Sequence, residues 1–163
     1  MMIRISNIEE QLVKIFRKNK IKYYCINENH KRISIPIYMI ILRILDDKTK
    51  DVEKNIKVMV PIFKENPVIY FECYNIFKID EENYIEVLKV INSLNQYPFP
   101  GKFFVEDDKQ VTYRCSIDYS NLEKLDDIII KSYIESIPTA YAMALEEIRK
   151  VGENGKQKTR KRL

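Results

Sequence analysis

The stretch from Val111 to Tyr119 constrains the fold most strongly, because apolar and polar side chains alternate along its whole length. The residues between the apolar ones are Thr112, Arg114, Ser116 and Asp118. Successive side chains of a strand point to opposite faces, so this pattern predicts a strand with one buried and one solvated face. The short apolar run 102–106 and the polar turn Asp107-Asp108-Lys109 precede it, which predicts a β-hairpin. The chain should therefore contain an antiparallel sheet that is covered on one side.

Helical and strand periodicities alternate along the rest of the chain. Apolar residues at helical spacing predict helices over about 8–19, about 80–94 and about 121–151, and Pro138 predicts a kink in the last of these or its division into two. Strand-like runs flank the polar turn 27–32 and recur over 56–62 and 68–79, whereas the charged segment 46–55 is predicted to be a loop.

These elements predict one α+β domain over residues 1–151. We expect a two-layer sandwich, an antiparallel sheet of about five strands with helices on one face, in the order α-β-β-β-α-β-β-α. The remaining segment, 152–163, is rich in Lys and poor in apolar residues, and it is predicted to be a disordered basic tail.

The residue types that support catalysis or bind cofactors are scarce. The only histidine, His30, lies in the predicted polar turn, and the three cysteines, Cys25, Cys73 and Cys115, lie far apart in apolar runs, where we expect them to be buried. This spacing does not fit a zinc site or a disulfide framework, and three glycines are too few for a phosphate-binding loop. Adjacent acidic pairs such as Asp107-Asp108 are typical of turns and helix starts. We therefore expect no enzyme activity, no catalytic residues, no metal and no cofactor.

Positive charge is concentrated at the end of the chain. Between Arg149 and Leu163 there are seven Lys and Arg residues against one Glu, which leaves residues 1–148 with a net charge of −2. The candidate electrostatic residues of the tail are Lys156, Lys158, Arg160, Lys161 and Arg162. Three interpretations are open: a solvated terminus, attraction to nucleic acid through counterion release, or contact with anionic lipid or an acidic protein.

Eleven tyrosines form the second candidate feature. Tyr70, Tyr74 and Tyr113 lie on predicted strands, where they could form an exposed aromatic patch that binds protein. The alternative is ordinary packing within a half-buried sheet, to which tyrosine is suited.

The second half of the chain resembles the bacterial YbjN-like proteins. The resemblance rests on Ile91-Asn92-Ser93-Leu94-Asn95, on 101–108, on the alternating strand 111–119 and on the long amphipathic helix that follows. It implies a type III secretion chaperone-like fold, a regulatory or protein-binding role in sensory transduction, dimerisation and no catalytic residues. The chain departs from the family at Asp108-Lys109, where such proteins tend to have Asp-Gly.

Together these features predict a non-enzymatic protein-binding or regulatory domain, chaperone-like, that holds a partner segment on its sheet face or edge. The alternative is a nucleic-acid-associated protein that uses the tail. The longest apolar run, 33–45, is interrupted by Pro36 and Arg43 and is too short to span a membrane, and the N-terminus does not resemble a signal peptide. We therefore expect a cytoplasmic location.

Overall fold

The computed structural model describes residues 5–30, 33–45, 52–63 and 65–160. Along the chain these form α1 (Ile5–Lys18), β1 (Tyr23–His30), β2 (Ile33–Leu45), β3 (Val52–Pro61), β4 (Val68–Lys78), α2 (Tyr84–Leu94), β5 (Gly101–Val105), β6 (Gln110–Asp118) and α3 (Asp127–Arg160). A single 3-10 turn, Glu81–Asn83, leads into α2.

The strands form one six-stranded sheet in the order β1-β2-β3-β4-β6-β5, and every neighbouring pair is antiparallel. The predicted α+β class with an antiparallel sheet is confirmed. The predicted count of about five strands and the element order are wrong, because four strands precede α2 rather than three. The polar run that was predicted to be a turn belongs to β1 as far as His30, which pairs with Ile33. Backbone pairing at a sheet edge does not require apolar side chains, so periodicity did not reveal this part of the strand.

Two predicted boundaries also change. Residues 52–55, predicted as loop, are the start of β3, while residues 46–51 lie outside the described part of the chain. Helix α3 begins at Asp127 rather than near residue 121, because the Asp126 carboxylate accepts hydrogen bonds from the backbone N–H groups of Ile128 (2.8 Å) and Ile129 (3.3 Å).

Helix α3 then continues as one helix through Pro138, so its predicted division into two helices is wrong. Its backbone is helical as far as Arg160, past Gly152, where the sequence predicts that the tail begins.

All three helices pack on one face of the sheet. The predicted apolar stripe of α1 is fully in the core, with Ile8, Leu12, Ile15 and Phe16 buried against the sheet. Phe16 contacts Tyr23 and Tyr38, and the Tyr38 hydroxyl donates to Glu9 at 2.5 Å. The residues that the alternation predicts to be buried, Val111, Tyr113, Cys115, Ile117 and Tyr119, are all buried. Thr112 is a correction, because the alternation predicts it on the solvated face and it is fully buried.

The β5–β6 hairpin forms at the predicted turn. Lys109 adopts a φ of 64°, a left-handed conformation that usually favours glycine. A lysine here forms an ion pair with Glu81, and its ammonium lies 6.0 Å from the ring centroid of Tyr84. These contacts tie the hairpin to the start of α2 and offset part of the conformational cost of the left-handed lysine.

Candidate protein-binding surface

The second face of the sheet carries the candidate site, and we call it the open face because the three helices pack on the opposite face. The pairing register places one residue from each strand in a row across it, in the order Tyr24, Met39, Met59, Glu72, Arg114 and Lys102. Tyr70 and Tyr74 of β4 and Phe104 of β5 lie beside this row. A sheet face of this kind is normally polar, so the aromatic and aliphatic side chains on it mark a candidate interaction surface.

The centre of the open face is an ion pair between adjacent strands. Arg114 Nε lies 2.5 Å from Glu72 Oε1, and the Glu72 side chain is only 7% exposed against 34% for Arg114. The Tyr74 hydroxyl donates to the second oxygen of the same carboxylate. The pairing and the hydrogen bond offset the cost of burying these polar groups.

Aromatic rings enclose the Arg114 guanidinium from both sides. Its central carbon lies 5.7 Å from the ring centroid of Tyr70 and 5.3 Å from that of Phe104, both within the range of cation–π attraction. Phe63, from the β3–β4 turn, packs edge-on against Tyr70. Arg114 is thereby held in one orientation by Glu72 and the two rings, which lowers the entropy that it would lose on binding a partner.

The same groups perturb each other's ionisation. Burial raises the pKa of Tyr74, and its hydrogen bond to Glu72 raises it further. Burial acts to lower the pKa of Arg114, but the Glu72 carboxylate outweighs it and the net pKa is raised. Both groups therefore keep the protonated forms that this arrangement requires over the physiological pH range.

A shallow depression of about 450 Å³ lies at one end of the open face. Phe63, Asn66 and Tyr70 line it together with the ion pair. The Asn66 amide donates to the Tyr70 hydroxyl at 3.3 Å, so hydrogen-bonding groups and rings converge on the same space. A pocket of this kind can accept one side chain of an extended segment.

The structure separates the three predicted surface tyrosines. Tyr74 is 44% exposed, and Tyr70 is half-buried beside it on the open face. Tyr113 is a correction, because it is fully buried on the helix side, where its ring lies 4.8 Å from that of Phe103. Its hydroxyl accepts from the backbone N–H of Gly101 at 3.0 Å, and a Cβ on Gly101 would lie only 2.6 Å from the ring. Tyr113 therefore belongs to the core and cannot be part of a binding surface.

The basic tail is described only in part. Lys156, Lys158 and Arg160 lie in the last turns of α3, and their side chains are not described. Lys161 and Arg162 lie outside the described residues. The prediction for these five residues stays a prediction.

The two edges of the sheet differ. On β5, the Asn95 side chain donates to the carbonyl of Phe103 at 2.9 Å and accepts from its N–H at 2.7 Å, as a neighbouring strand would. This side chain closes the β5 edge to further pairing at that position. Strand β1 lies at the other end of the sheet, and no described residue pairs with its outer side.

Sequence reasoning did not identify Arg114, Phe104 or Asn95 as candidate functional residues. The alternation of β6 does place Arg114 on the solvated face, but its partner Glu72 is 42 residues away. No sequence pattern indicates that the two strands are neighbours. Asn95 was part of the resemblance, without a structural role.

The three cysteines differ in burial, and the side chain of His30 is not described. Cys73 and Cys115 are buried as predicted, but Cys25 on the edge strand is exposed, which corrects its predicted burial. Burial raises the pKa of the Cys115 thiol to about 11. Within the part of the chain that the structure describes, no three His, Cys, Asp or Glu residues are grouped to hold a metal ion.

None of the described helices combines the length and the apolar character needed to cross a membrane. Comparison of the chain with family models, with curated proteins and with solved structures finds no match. The YbjN-like resemblance and the chaperone-like fold that it implies therefore stay predictions.

Proposed function

We propose that this chain is a non-enzymatic, chaperone-like protein-binding domain that holds an extended segment of a partner protein on its open face. The observation that carries the proposal is a set of exposed rings on the open face, with Tyr74 and Phe104 beside the fixed Arg114. Tyr24 is 49% exposed, Tyr74 44% and Phe104 43%, and all three lie on this one face. Tyrosine and arginine dominate the binding energy of protein interfaces, and pre-ordered side chains bind at a lower entropic cost.

The chemistry of the face indicates what the partner should present. Apolar or aromatic side chains would pack on Phe104 and Met59, and an alternate side chain would enter the depression beside Tyr70. Backbone pairing, if it contributes, would use the outer side of β1, because Asn95 occupies the β5 edge. The homodimer implied by the family resemblance would use the same β1 edge.

A peptide selection followed by directed binding measurements tests this function. Peptides selected from a random display library on the wild-type chain should lose about tenfold or more in affinity for a Tyr74→Ser/Phe104→Ser variant, because each interface anchor contributes about 1–2 kcal/mol. The matched control is Ile85→Ser/Tyr97→Ser, which removes two equally exposed side chains outside the open face. Equal loss in both variants, or loss in neither, would contradict the proposal.

The alternative, association with nucleic acid through the tail, rests on the charge of residues 149–163. Deletion of residues 152–163 should abolish retention on immobilised DNA at low salt if the alternative is right, and binding should weaken steeply as salt rises. If the tail contributes nothing, the full and shortened chains should elute together.

A further inference from the structure

A second concave region lies at the side of the molecule where the end of β2 meets the α1–β1 linker and α3. The end of α1, the linker to β1, the end of β2 and the first half of α3 enclose a cleft of about 610 Å³, larger than the depression on the open face. We call it the α1–α3 cleft. Its volume falls in the range of small-molecule binding sites.

Apolar side chains from three different elements form the floor of the cleft. These are Ile21 from the linker, Leu42 from β2 and Ile134 from α3. Ile134 is buried, and Ile21 and Leu42 are half-buried against the core. The floor is therefore fixed by the fold, and a hydrocarbon group placed on it would be removed from water.

The rim of the cleft is strongly basic. Lys20, Lys22, Arg43 and Lys131 line it, and Glu135 is the single acidic residue among the lining residues. Lys131 lies 3.6 Å from Glu135, whereas the other three cations form no ion pair with a described residue. Residues 1–148 carry a net charge of −2, so this local concentration of positive charge has the opposite sign to the net charge of that part of the chain.

The backbone holds one of these cations in an unfavourable conformation. Helix α1 ends in a Schellman motif, in which the N–H of Lys20 donates to the carbonyl of Arg17 (3.1 Å) and that of Ile21 to Phe16 (2.9 Å). Lys20 occupies the left-handed position with a φ of 56°, where glycine is the usual residue. A lysine at this position places charge on the cleft despite a conformational cost.

From the apolar floor and the basic rim we infer that the α1–α3 cleft binds a small amphipathic anion, a free carboxylate or phosphate joined to a hydrocarbon chain. The hydrocarbon chain packs on Ile21, Leu42 and Ile134, and the anionic group is held by Lys20, Lys22 and Arg43. Cations at the mouth of a low-dielectric cleft attract such a ligand more strongly than the same charges on a flat surface.

Dodecanoate below its micellar concentration is a suitable probe, with acetate and dodecyltrimethylammonium as comparisons. Isothermal titration should give saturable binding of dodecanoate alone, and the methyl NMR signals of Ile21 and Ile134 should shift. Affinity should fall about tenfold or more in Lys20→Gln/Lys22→Gln/Arg43→Gln. The charge-matched control Lys78→Gln/Lys89→Gln/Arg149→Gln should bind as the wild type does.

Several results would overturn the inference. Equal affinity for the cationic amphiphile or for acetate would show that the anion or the hydrocarbon chain is not recognised. Shifts confined to the signals of Met39 and Met59 would place the ligand on the open face instead. If the protein sediments with phosphatidylglycerol vesicles but does not bind monomeric dodecanoate, this surface is a membrane contact rather than a ligand site.

Discussion

The Glu72–Arg114 pair allows the sharpest quantitative prediction about the open face. Replacing Arg114 with Met leaves the Glu72 carboxylate, 7% exposed, without its cation. Breaking a fully buried pair costs about 3–5 kcal/mol, and because Arg114 is 34% exposed we discount this to about 2 kcal/mol. The hydrogen bond from Tyr74 remains and prevents a larger loss.

Replacing both partners should cost much less than replacing the arginine alone. A Glu72→Met/Arg114→Met variant leaves no buried charge behind, so its unfolding free energy should return to within about 1 kcal/mol of the wild type. The Tyr74 hydroxyl would then bond to water, since this residue is 44% exposed.

Urea unfolding at pH 7 measures both effects. With a slope of about 2 kcal/mol per molar urea, Arg114→Met should lower the midpoint by about 1 M. Arg149→Met, at an exposed position on α3, is the control and should shift it by less than about 0.25 M. A double variant as unstable as the single one would refute the reasoning.

Four further predictions concern other parts of the fold. Lys20→Gly should raise the unfolding free energy by about 0.5–1 kcal/mol, and Lys20→Ala should not, because only glycine relieves the left-handed φ. Thr112→Val should stabilise by about 1 kcal/mol in urea unfolding, because the Thr112 hydroxyl is buried and has no hydrogen-bond partner among the described residues. Asn95→Leu should expose the backbone of Phe103 and promote self-association through the β5 edge. Sedimentation velocity would detect the self-association, and a variant that stays monomeric would contradict this prediction. Burial raises the pKa of the Cys115 thiol from 9.0 to about 11. Its contribution to the unfolding free energy is therefore complete below pH 9 and is lost as the pH rises towards 11. Cys115→Ala should make the unfolding free energy fall less steeply over that range.

The elements that could be predicted from the sequence are those in which apolar and polar side chains recur at the period of a strand or a helix. The alternation in β6 and the apolar stripe of α1 each follow from one segment that buries one face, and both are confirmed by burial. The same alternation already placed Tyr113 with Cys115 on the buried face, so counting it among surface tyrosines contradicted the pattern. The predicted edge strand β1 was too short, because residues 27–30 are polar and their backbone pairing with β2 leaves no apolar alternation in the sequence.

The candidate site depends on long-range pairing that local patterns do not encode. Glu72 and Arg114 meet because β4 and β6 are neighbours, and this strand order became visible only in the fold. The same holds for the α1–α3 cleft, whose cations come from the α1–β1 linker, β2 and α3. Composition indicated where the chain is most basic overall, but it did not reveal charges that converge from separate elements.

Site-specific photo-crosslinking in cells that make the protein tests the central claim most directly. A benzophenone amino acid would replace Phe104 on the open face in one sample and Tyr97, equally exposed but off that face, in another. The account predicts discrete crosslinked protein partners at position 104 and none of these at position 97. Equal crosslinking at both positions, or partners at position 97 alone, would show that the open face is not the binding surface.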